Sequence, residues 1–166
     1  YGAYPKDNGE VWVAGKKRTI HSPEQAIEAG IGLIPEDRKQ HGCIIHSSVR
    51  FNISLSVFNR LARFLIANPK AQRETAVYYV EKFNIKTPSL DQRVANLSGG
   101  NQQKVVLSKT LAANTNILIF DEPTRGIDVG AKQEIYKLMV DLANQGKAII
   151  MISSDMEELL GMSDRL

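Results

Sequence analysis

An α/β fold is predicted by this sequence, because segments with helical and strand patterns alternate along its second half. After residue 98 these segments follow the order helix 99–113, strand 116–120, helix 130–145, strand 148–152 and a final helix. The strand at residues 148–152 is entirely apolar, which is typical of strands buried in parallel sheets. Helix 130–145 places apolar residues at helical spacing on one face, and Gly146 follows it as a stop signal.

A β-hairpin is predicted over residues 9–20, near the start of the chain. Val11 and Val13 alternate with Trp12 between them, and a Gly-Lys pair at residues 15–16 supplies the turn.

The next segment predicts a short helix followed by a strand. Ser22 can cap the helix, Pro23 suits its first turn, and Gln25 can reach back to complete a capping box. Gly30 ends this helix, and residues 31–34 form a strand that leads into a charged loop.

Residues 49–57 give conflicting signals. Their apolar side chains alternate strictly, which by periodicity alone predicts a strand. The region that follows is helical, since the Asn-Pro pair at residues 68–69 marks a helix start. The apolar stripe of that second helix consists of Ala76, Tyr79, Val80 and Phe83.

Composition and charge exclude several classes of protein. The chain has 166 residues, 43% hydrophobic and 23% charged, which suits one domain with a real core. A net charge of +3 with mixed signs gives no indication of nucleic-acid binding. The apolar runs are too short to cross a bilayer. The chain begins with Tyr1 rather than Met and stops soon after a helix, so we expect it to be part of a larger protein.

Cysteine and histidine offer no metal or disulfide framework. Cys43 is the single cysteine, which weakly indicates a reducing, cytoplasmic location. His21, His41 and His46 do not have the spacing of zinc ligands on any one element.

The Ser-Gly-Gly turn at residues 98–100 is a candidate phosphate-binding feature. Gly99 and Gly100 lack side chains, so their N–H groups can approach an anion at the positive end of the following helix. The Ser98 hydroxyl can donate a further hydrogen bond. The alternative is an ordinary helix cap followed by a flexible joint.

Two carboxylates follow the apolar strand 116–120. Ligands of open α/β sheets bind at the carboxyl ends of strands, where Asp121 and Glu122 lie. Asp121 can hold Mg²⁺ through water, and Glu122 can polarise the water that attacks a terminal phosphate. The alternative is a loop with two solvated acids.

A P-loop, G-x-x-x-x-G-K-[ST], is absent from the sequence. The nearest imitation, residues 9–17, has one residue too many between its glycines and lacks the final Ser or Thr. Without a P-loop these residues cannot bind and hydrolyse ATP in the usual way on their own.

Three motifs resemble those of ATP-binding-cassette proteins. The run L-S-G-G-N-Q-Q-K at 97–104 resembles their signature motif, I-L-I-F-D-E-P at 117–123 their Walker B strand, and T-R-G-I-D-V-G-A-K at 124–132 their D-loop. Together with P-E-D-R-K at 35–39, they are similar to the second cassette of the two-cassette ATPases for bacterial monosaccharide import, of the ribose, xylose and galactose type.

The resemblance implies a P-loop NTPase-like cassette that lacks its P-loop strand and helix, which would lie upstream of residue 1. It implies a partial β-subdomain with the Q-loop region over 1–48 and a helical subdomain over 49–97. It assigns the signature helix, Walker B, D-loop and H-loop to 98–166. Residues 49–57 are therefore expected to be helical, against their alternation.

The resemblance also implies a site for ATP and Mg²⁺. Glu122 is the catalytic residue and Asp121 the Mg²⁺ ligand through water. The implied nucleotide contacts are Ser98, Gly99, Gly100, Asn101, Gln103, Asp128, Glu36 and Ser154. Glu36 stands where the family usually has a Gln, and Ser154 where it has the switch His, although a capping box with Glu157 also accounts for Ser154. These departures put hydrolysis at this cassette's own site in doubt.

The implied partners are the N-terminal cassette of the same polypeptide or a second copy, a membrane permease and, indirectly, a sugar-binding protein. No nucleic acid is expected, and the implied location is the cytoplasmic face of the inner membrane. Two rival functions stay open: a cassette ATPase that acts on nucleic acid or ribosomes, and a non-catalytic regulatory or interaction domain.

Overall fold

The computed structural model describes residues 1–58, 62–63 and 66–166. Its strands are β1 (Val11–Val13), β2 (Lys16–Arg18), β3 (Ile31–Ile34), β4 (Ala62–Arg63), β5 (Ile66–Ala67), β6 (Ile117–Asp121) and β7 (Ala148–Ile152). Its α-helices are α1 (Pro23–Glu28), α2 (Val49–Leu55), α3 (Pro69–Lys82), α4 (Gly99–Ala112), α5 (Val129–Asn144) and α6 (Met156–Met162). A π-helical turn covers Arg38–Gly42 and a 3-10 turn Val94–Asn96.

A parallel sheet of three strands, in the order β3-β6-β7, organises the described part of the chain. One face of the central strand β6 carries Leu118 and Phe120, both buried in the main core with residues of α2, α4 and α5. Ile117 and Ile119, on its other face, pack with the smaller cluster of Val13, Ala26 and Ile31. The predicted α/β class is therefore confirmed.

β7 is parallel to β6, and only one of its faces packs against the core. Ile149 and Met151 pack against the main core, whereas Ile150 and Ile152 are 50% and 49% exposed. The prediction that this strand is buried on both faces was wrong. The reason is that β7 pairs only with β6 in this sheet, and the hairpin and α1 lie over Ile117 and Ile119 instead.

Residues 49–55 form α2, so the resemblance was right about this segment and the alternation was misleading. Val49, Ile53 and Val57 are buried, and they are spaced four residues apart. Every second member of an alternating series is four residues from the next, which is close to one helical turn. These three residues can therefore lie on one face of a helix. The Ser48 side chain caps α2 by accepting from the N–H of Phe51 at 3.1 Å.

The predicted hairpin turn and the predicted capping box of α1 are each displaced by one residue. The hairpin turn consists of Ala14 and Gly15, both at positive φ, since Val13 pairs with Lys16 across the strands. Ser22 caps α1 as predicted, but Gln25 accepts from the N–H of His21 at 2.7 Å and not from Ser22 itself.

The predicted helical subdomain, residues 49–97, contains α2, the short β4-β5 hairpin, α3 and the 3-10 turn. Residues 59–61 and 64–65 of this range lie outside the described residues. Ala76 and Phe83 of the predicted stripe are buried, and Tyr79 and Val80 pack against the same core. The two boundaries between the three predicted domains stay predictions. Each helix in the described part of the chain is too short or too polar to traverse a bilayer.

An ion pair joins α4 to α5. The Lys104 ammonium lies 2.7 Å from Glu134 Oε2, and the Lys104 side chain is almost fully buried. The hydrogen bond from Lys104 lowers the pKa of the Glu134 carboxyl below its ordinary value. The charge of Glu134 therefore stabilises the packing of the two helices.

Replacing Glu134 with Gln should lower the free energy of unfolding by up to about 1 kcal/mol at neutral pH. Because the folded pKa of Glu134 is the lower one, the pair contributes fully above the ordinary carboxyl pKa of 4.5, and its contribution is lost as pH falls through the folded pKa. Urea unfolding should thus show a difference near pH 7 that decreases as the pH falls below 4.5. The exposed Glu81, changed to Gln, serves as control. A difference that stays constant with pH would contradict this assignment.

Candidate functional site

The Ser-Gly-Gly turn begins α4 as the sequence predicts. Ser98 is the N-cap, and its Oγ accepts hydrogen bonds from the backbone N–H of Asn101 at 3.4 Å and from Asn101 Nδ2 at 2.9 Å. Since both bonds use the oxygen as acceptor, the hydroxyl proton remains available for donation to a ligand. Ser98 is exposed to solvent.

The two glycines place bare backbone at the same helix end. Their N–H groups are the first of α4 and have no partner among the hydrogen bonds of the described residues. A Cβ on Gly100 would lie 2.9 Å from the Cβ of Ala131 on α5, so this position has no room for a side chain. The unpaired donors and the positive helix end suit an anion.

Asn101 and Gln103 are held by the protein. Asn101 Oδ1 accepts from the N–H of Lys86 at 2.8 Å, while its Nδ2 donates to Ser98, so this amide braces the turn. Gln103 is only 3% exposed on α4. Their implied contacts with a nucleotide stay predictions.

Asp121 ends β6 and lines a cleft of about 850 Å³. Glu36, in the loop after β3, lines the same cleft. β3 and β6 are parallel neighbours, so both residues leave the sheet at the same edge. The structure thus brings together the implied Mg²⁺ ligand and the residue at the usual Gln position.

Glu122 has a strained backbone that is fixed on both sides. Its φ is +46°, in the left-handed region that non-glycine residues rarely adopt. Its N–H donates to the carbonyl of Ile152 at 2.9 Å, and its Oε1 accepts from the N–H of Ser154 at 2.6 Å. The carboxylate proposed for catalysis and the residue at the switch position are therefore in direct contact, through a backbone donor of Ser154.

Ser154 does not cap the last helix. The N-cap of α6 is Asp155, whose Oδ1 accepts from the N–H groups of Glu157 at 3.0 Å and Glu158 at 3.2 Å. The predicted capping box of Ser154 with Glu157 was wrong, because the neighbouring carboxylate is a good cap and is favoured by the helix dipole. Ser154 is left exposed beside Glu122.

A buried carboxylate lies behind these residues. Glu158, on α6, is 6% exposed and accepts from Thr124 Oγ1 at 2.7 Å and from the hydroxyl of Ser153. Thr124 follows the Asp-Glu-Pro segment, and Ser153 precedes Ser154. Glu158 therefore ties the chain after Glu122 to the chain before Ser154. Burial and the bond to Glu158 raise the pKa of Tyr136 nearby.

Glu36 is paired within the protein. Its carboxylate forms an ion pair with the guanidinium of Arg125, which follows the Walker B-like segment. Next to it, Asp37 accepts from the N–H groups of Gln40 at 3.0 Å and Lys39 at 2.9 Å, and these bonds lower the pKa of its carboxyl. In this arrangement Glu36 carries a cation partner and not a free carboxylate.

Asp128 caps α5, where its Oδ1 accepts from the N–H of Ala131 at 3.0 Å. Ala131 is also the residue that packs against Gly100. The D-loop-like segment and the Ser-Gly-Gly turn are consequently adjacent.

The predicted site residues form two separate groups. Glu36 and Asp121 face one cleft, with Glu122 and Ser154 at the neighbouring strand ends. The second group, on the other hand, consists of Ser98, Gly99, Gly100, Asn101 and Asp128 around the start of α4; none of these lines the cleft.

Sequence reasoning missed Arg38, Arg125, Gln102 and Glu158. Arg38 and Arg125 stand in segments that the motifs already marked, but no pattern assigns a partner to a charged loop residue. A polar side chain at a core-facing helical position, as at Gln102 and Glu158, is the signal that would have singled out the other two.

Comparisons with known proteins agree with these motifs. The model of the family described as ABC transporter matches residues 1–125. The chain is 50% identical over 167 residues to the xylose import ATP-binding protein of Moorella thermoacetica, covering 100% of this chain and 33% of that protein. It is 51% identical over 166 residues to the ribose import ATP-binding protein of Geobacillus kaustophilus, covering 100% and 34%. The chain thus spans about a third of the length of these relatives.

Solved structures show the same fold. A nucleotide-free ATP-binding cassette from an ABC transporter superposes with a TM-score of 0.81 at 19% identity, covering 98% of this chain and 66% of that one. A dimeric cassette in a post-hydrolysis state, bound to ADP and Pi, superposes with a TM-score of 0.71 at 21% identity, covering 91% and 65%.

Proposed function

Since the chain belongs to the ABC transporter family, we propose that it is part of the ATP-hydrolysing subunit of a bacterial monosaccharide importer. In this proposal Ser98, Gly99 and Gly100 complete the site of an ATP molecule that a partner cassette holds. The observation that carries the proposal is the start of α4, where a hydroxyl and two unpaired N–H groups lie outside the chain's own carboxylate cleft.

The residues of the cleft fit Mg²⁺ and a nucleotide. Mg²⁺ is usually bound by one or two carboxylates together with water and phosphate oxygens, so Asp121 needs no further protein ligand. Bound Mg²⁺ would neutralise charge on the phosphates. Glu122, whose carboxylate is oriented by the N–H of Ser154, would accept a proton from the attacking water.

We infer that the chain's own cleft is the weaker of the two sites in such a pair. Glu36 forms an exposed ion pair with Arg125, and this pair would have to open before the carboxylate could orient water or metal. The exposed Ser154 offers a hydroxyl where the family usually has an imidazole. Loss of one preorganised donor commonly costs about a hundredfold in rate.

The relatives suggest the substrate class and the partners. Their names describe import of xylose and of ribose, which supports a monosaccharide as cargo. Import requires a membrane permease, and we propose that the chain works at the cytoplasmic face of the inner membrane as a peripheral subunit. The other cassette would be the remainder of the same polypeptide or a second copy.

Purification of the whole protein from its native membranes tests this function. We expect a permease to co-purify. After reconstitution, the complex should take up a pentose or hexose only when ATP is present on the side that corresponds to the cytoplasm. A sample of the soluble fraction, treated in the same way, is the control. Recovery with ribosomes or nucleic acid, or uptake without ATP, would contradict the proposal.

A further inference from the structure

Arg38 is the side chain that connects the separate parts of this site, and nothing in the motifs assigns it a role. It is the first residue of the π-helical turn after the β3 loop, and its carbonyl accepts from both the N–H of Cys43 at 2.9 Å and the thiol of the same residue at 3.2 Å. The side chain of Asp37 caps the turn. The backbone from which the guanidinium extends is therefore fixed.

Each nitrogen of the guanidinium donates to a different oxygen. Nε donates to Gln102 Oε1 at 3.3 Å, one terminal nitrogen to the carbonyl of Arg125 at 3.0 Å, and the other to the carbonyl of Gly126 at 3.2 Å. All three acceptors are neutral, and no ion pair recorded for the described residues involves Arg38. The planar guanidinium of Arg38 therefore acts through the fixed directions of its three donors and not through pairing with an opposite charge.

Gln102 extends this connection to the Ser-Gly-Gly turn. It is 5% exposed on α4, and its Nε2 donates to the carbonyls of Val94 at 3.2 Å and Leu97 at 3.1 Å. Leu97 directly precedes Ser98. Because Arg38 orients the oxygen of this amide, it also fixes the amide nitrogen that holds the chain entering the turn.

The guanidinium also lies against the turn itself. A Cβ on Gly99 would lie 2.8 Å from a terminal nitrogen of Arg38 and 3.3 Å from the carbonyl oxygen of Gly126. Arg38 therefore fills the space between the first residue of α4 and the loop after the Asp-Glu pair. Arg125 also pairs with Glu36, so three contacts join the segments 36–38 and 125–126.

We propose that Arg38 is a positioning residue that holds the Ser-Gly-Gly turn and the 125–126 loop as one unit, and that it couples both to the loop that carries Glu36. This inference rests on the proposed function, in which the turn meets a nucleotide of the partner cassette. A movement of Glu36 at the chain's own cleft would then move the surface offered to the partner.

The test uses the whole protein with its permease and compares Arg38→Gln, Arg38→Lys and Lys39→Gln. Lys39 is the exposed neighbour and makes no side-chain hydrogen bond among those of the described residues, so its variant controls for the loss of one charge. The measurements are ATP hydrolysis as a function of ATP concentration and amide hydrogen exchange.

For Arg38→Gln we expect kcat to fall about tenfold or more while KM for ATP changes less than about threefold, since Arg38 orients groups that act in the transition state. Exchange should rise about tenfold at two separate segments together. The reporters are the amides of Asn101 and Gln102 in the turn, and of Arg125 and Ile127 in the loop, all hydrogen-bonded in the structure. Lys39→Gln should change neither measurement.

Arg38→Lys separates geometry from charge, because an ammonium cannot make the three-armed contact. We expect its kinetics and amide exchange to resemble those of Arg38→Gln. If Arg38→Gln loses exchange protection throughout the chain, the lysine variant alone tests the inference. A lysine variant that behaves as the wild type, or increased exchange in only one of the two segments, overturns the inference. If the whole protein hydrolyses no ATP, the proposed function fails, and the exchange result alone decides the role of Arg38.

Discussion

Replacing Ser98 with Arg should abolish most ATP hydrolysis by the whole protein, with a loss of about a hundredfold or more. The hydroxyl of Ser98 is exposed, and its proton is free because Asn101 uses only the oxygen. A long side chain at this position would occupy the space in front of the Gly99 and Gly100 N–H groups. In the proposed arrangement, that space receives the terminal phosphate of the partner's ATP.

The contrast with Glu122→Gln makes this prediction specific. In the proposed arrangement Glu122 serves the chain's own cleft, near which Glu36 is paired with Arg125 and Ser154 stands at the switch position. We therefore expect Glu122→Gln to cost less than about tenfold in turnover. The measurement is ATPase activity of the whole protein with its permease. If Glu122→Gln stops turnover while Ser98→Arg leaves it running, the assignment of the turn to a partner's nucleotide is wrong.

A matched control separates chemistry from helix capping. Ser22 caps α1 through the same kind of contact, in which its Oγ accepts from the N–H of Gln25 at 3.3 Å. Ser22→Arg removes a similar cap, worth about 1 kcal/mol, and adds the same charge away from the turn. It should leave turnover within about twofold of the wild type. Equal losses in both variants would assign the effect of Ser98→Arg to stability.

Gly32→Val should destabilise the protein strongly, by about 3 kcal/mol. Gly32 lies in β3 opposite Leu118 of β6. A Cβ at this position would collide with Thr110 Cγ2 and would lie 2.9 Å from Thr115 Oγ1. Both threonines are buried, and the hydroxyl of Thr115 donates to the carbonyl of Thr110 at 3.1 Å. Neither can withdraw without breaking a buried hydrogen bond or moving α4.

Urea unfolding of the wild type, Gly32→Ala and Gly32→Val gives the measurement, and the loss should increase with side-chain size. Gly161→Ala is the control, because a Cβ on that residue of α6 meets nothing within 4 Å. That change should be neutral or stabilising by up to about 1 kcal/mol. Similar stabilities for the wild type and Gly32→Val would mean that β3 does not approach α4 as closely as described.

The strained backbone at Glu122 shows how the site depends on distant residues. A positive φ at a non-glycine residue costs on the order of 1–3 kcal/mol and persists only where its surroundings hold it. Here the N–H of Glu122 donates to β7, and its carboxylate accepts from the N–H of Ser154. Glu158 accepts from residues of the two adjoining segments and so holds both. The carboxylate proposed for catalysis is thus held in place by the sheet and α6 together.

Local sequence was sufficient where a structure depends on neighbouring residues. The caps at Ser22, Asn68 and Ser98 and the glycine stops at 30 and 146 occur where the sequence predicts them, because each needs only a few adjacent residues. The Ser-Gly-Gly turn and the Asp-Glu pair could be found for the same reason.

Local sequence failed where several acceptable structures compete. The alternation over 49–57 fits a strand, and only packing against α4 and α3 selects the helix. Ser154 and Asp155 are both residues that could cap α6. In the structure Asp155 is the cap, and the N–H of Ser154 donates to Glu122. The exposed face of β7 could not be foreseen, because an apolar sequence does not state what covers it.

The sequence by itself determined the alternating helices and strands after residue 98 and the two motifs that indicate nucleotide chemistry, since periodicity, caps and glycine spacing act within a few residues. The tertiary structure decided which residues share a cleft, that Glu36 pairs with Arg125, and that Arg38 joins the turn to the 125–126 loop. Arg38 and Gly126 are 88 positions apart, and their contact exists only because the parallel strands β3 and β6 bring the segments that follow them to one edge of the sheet.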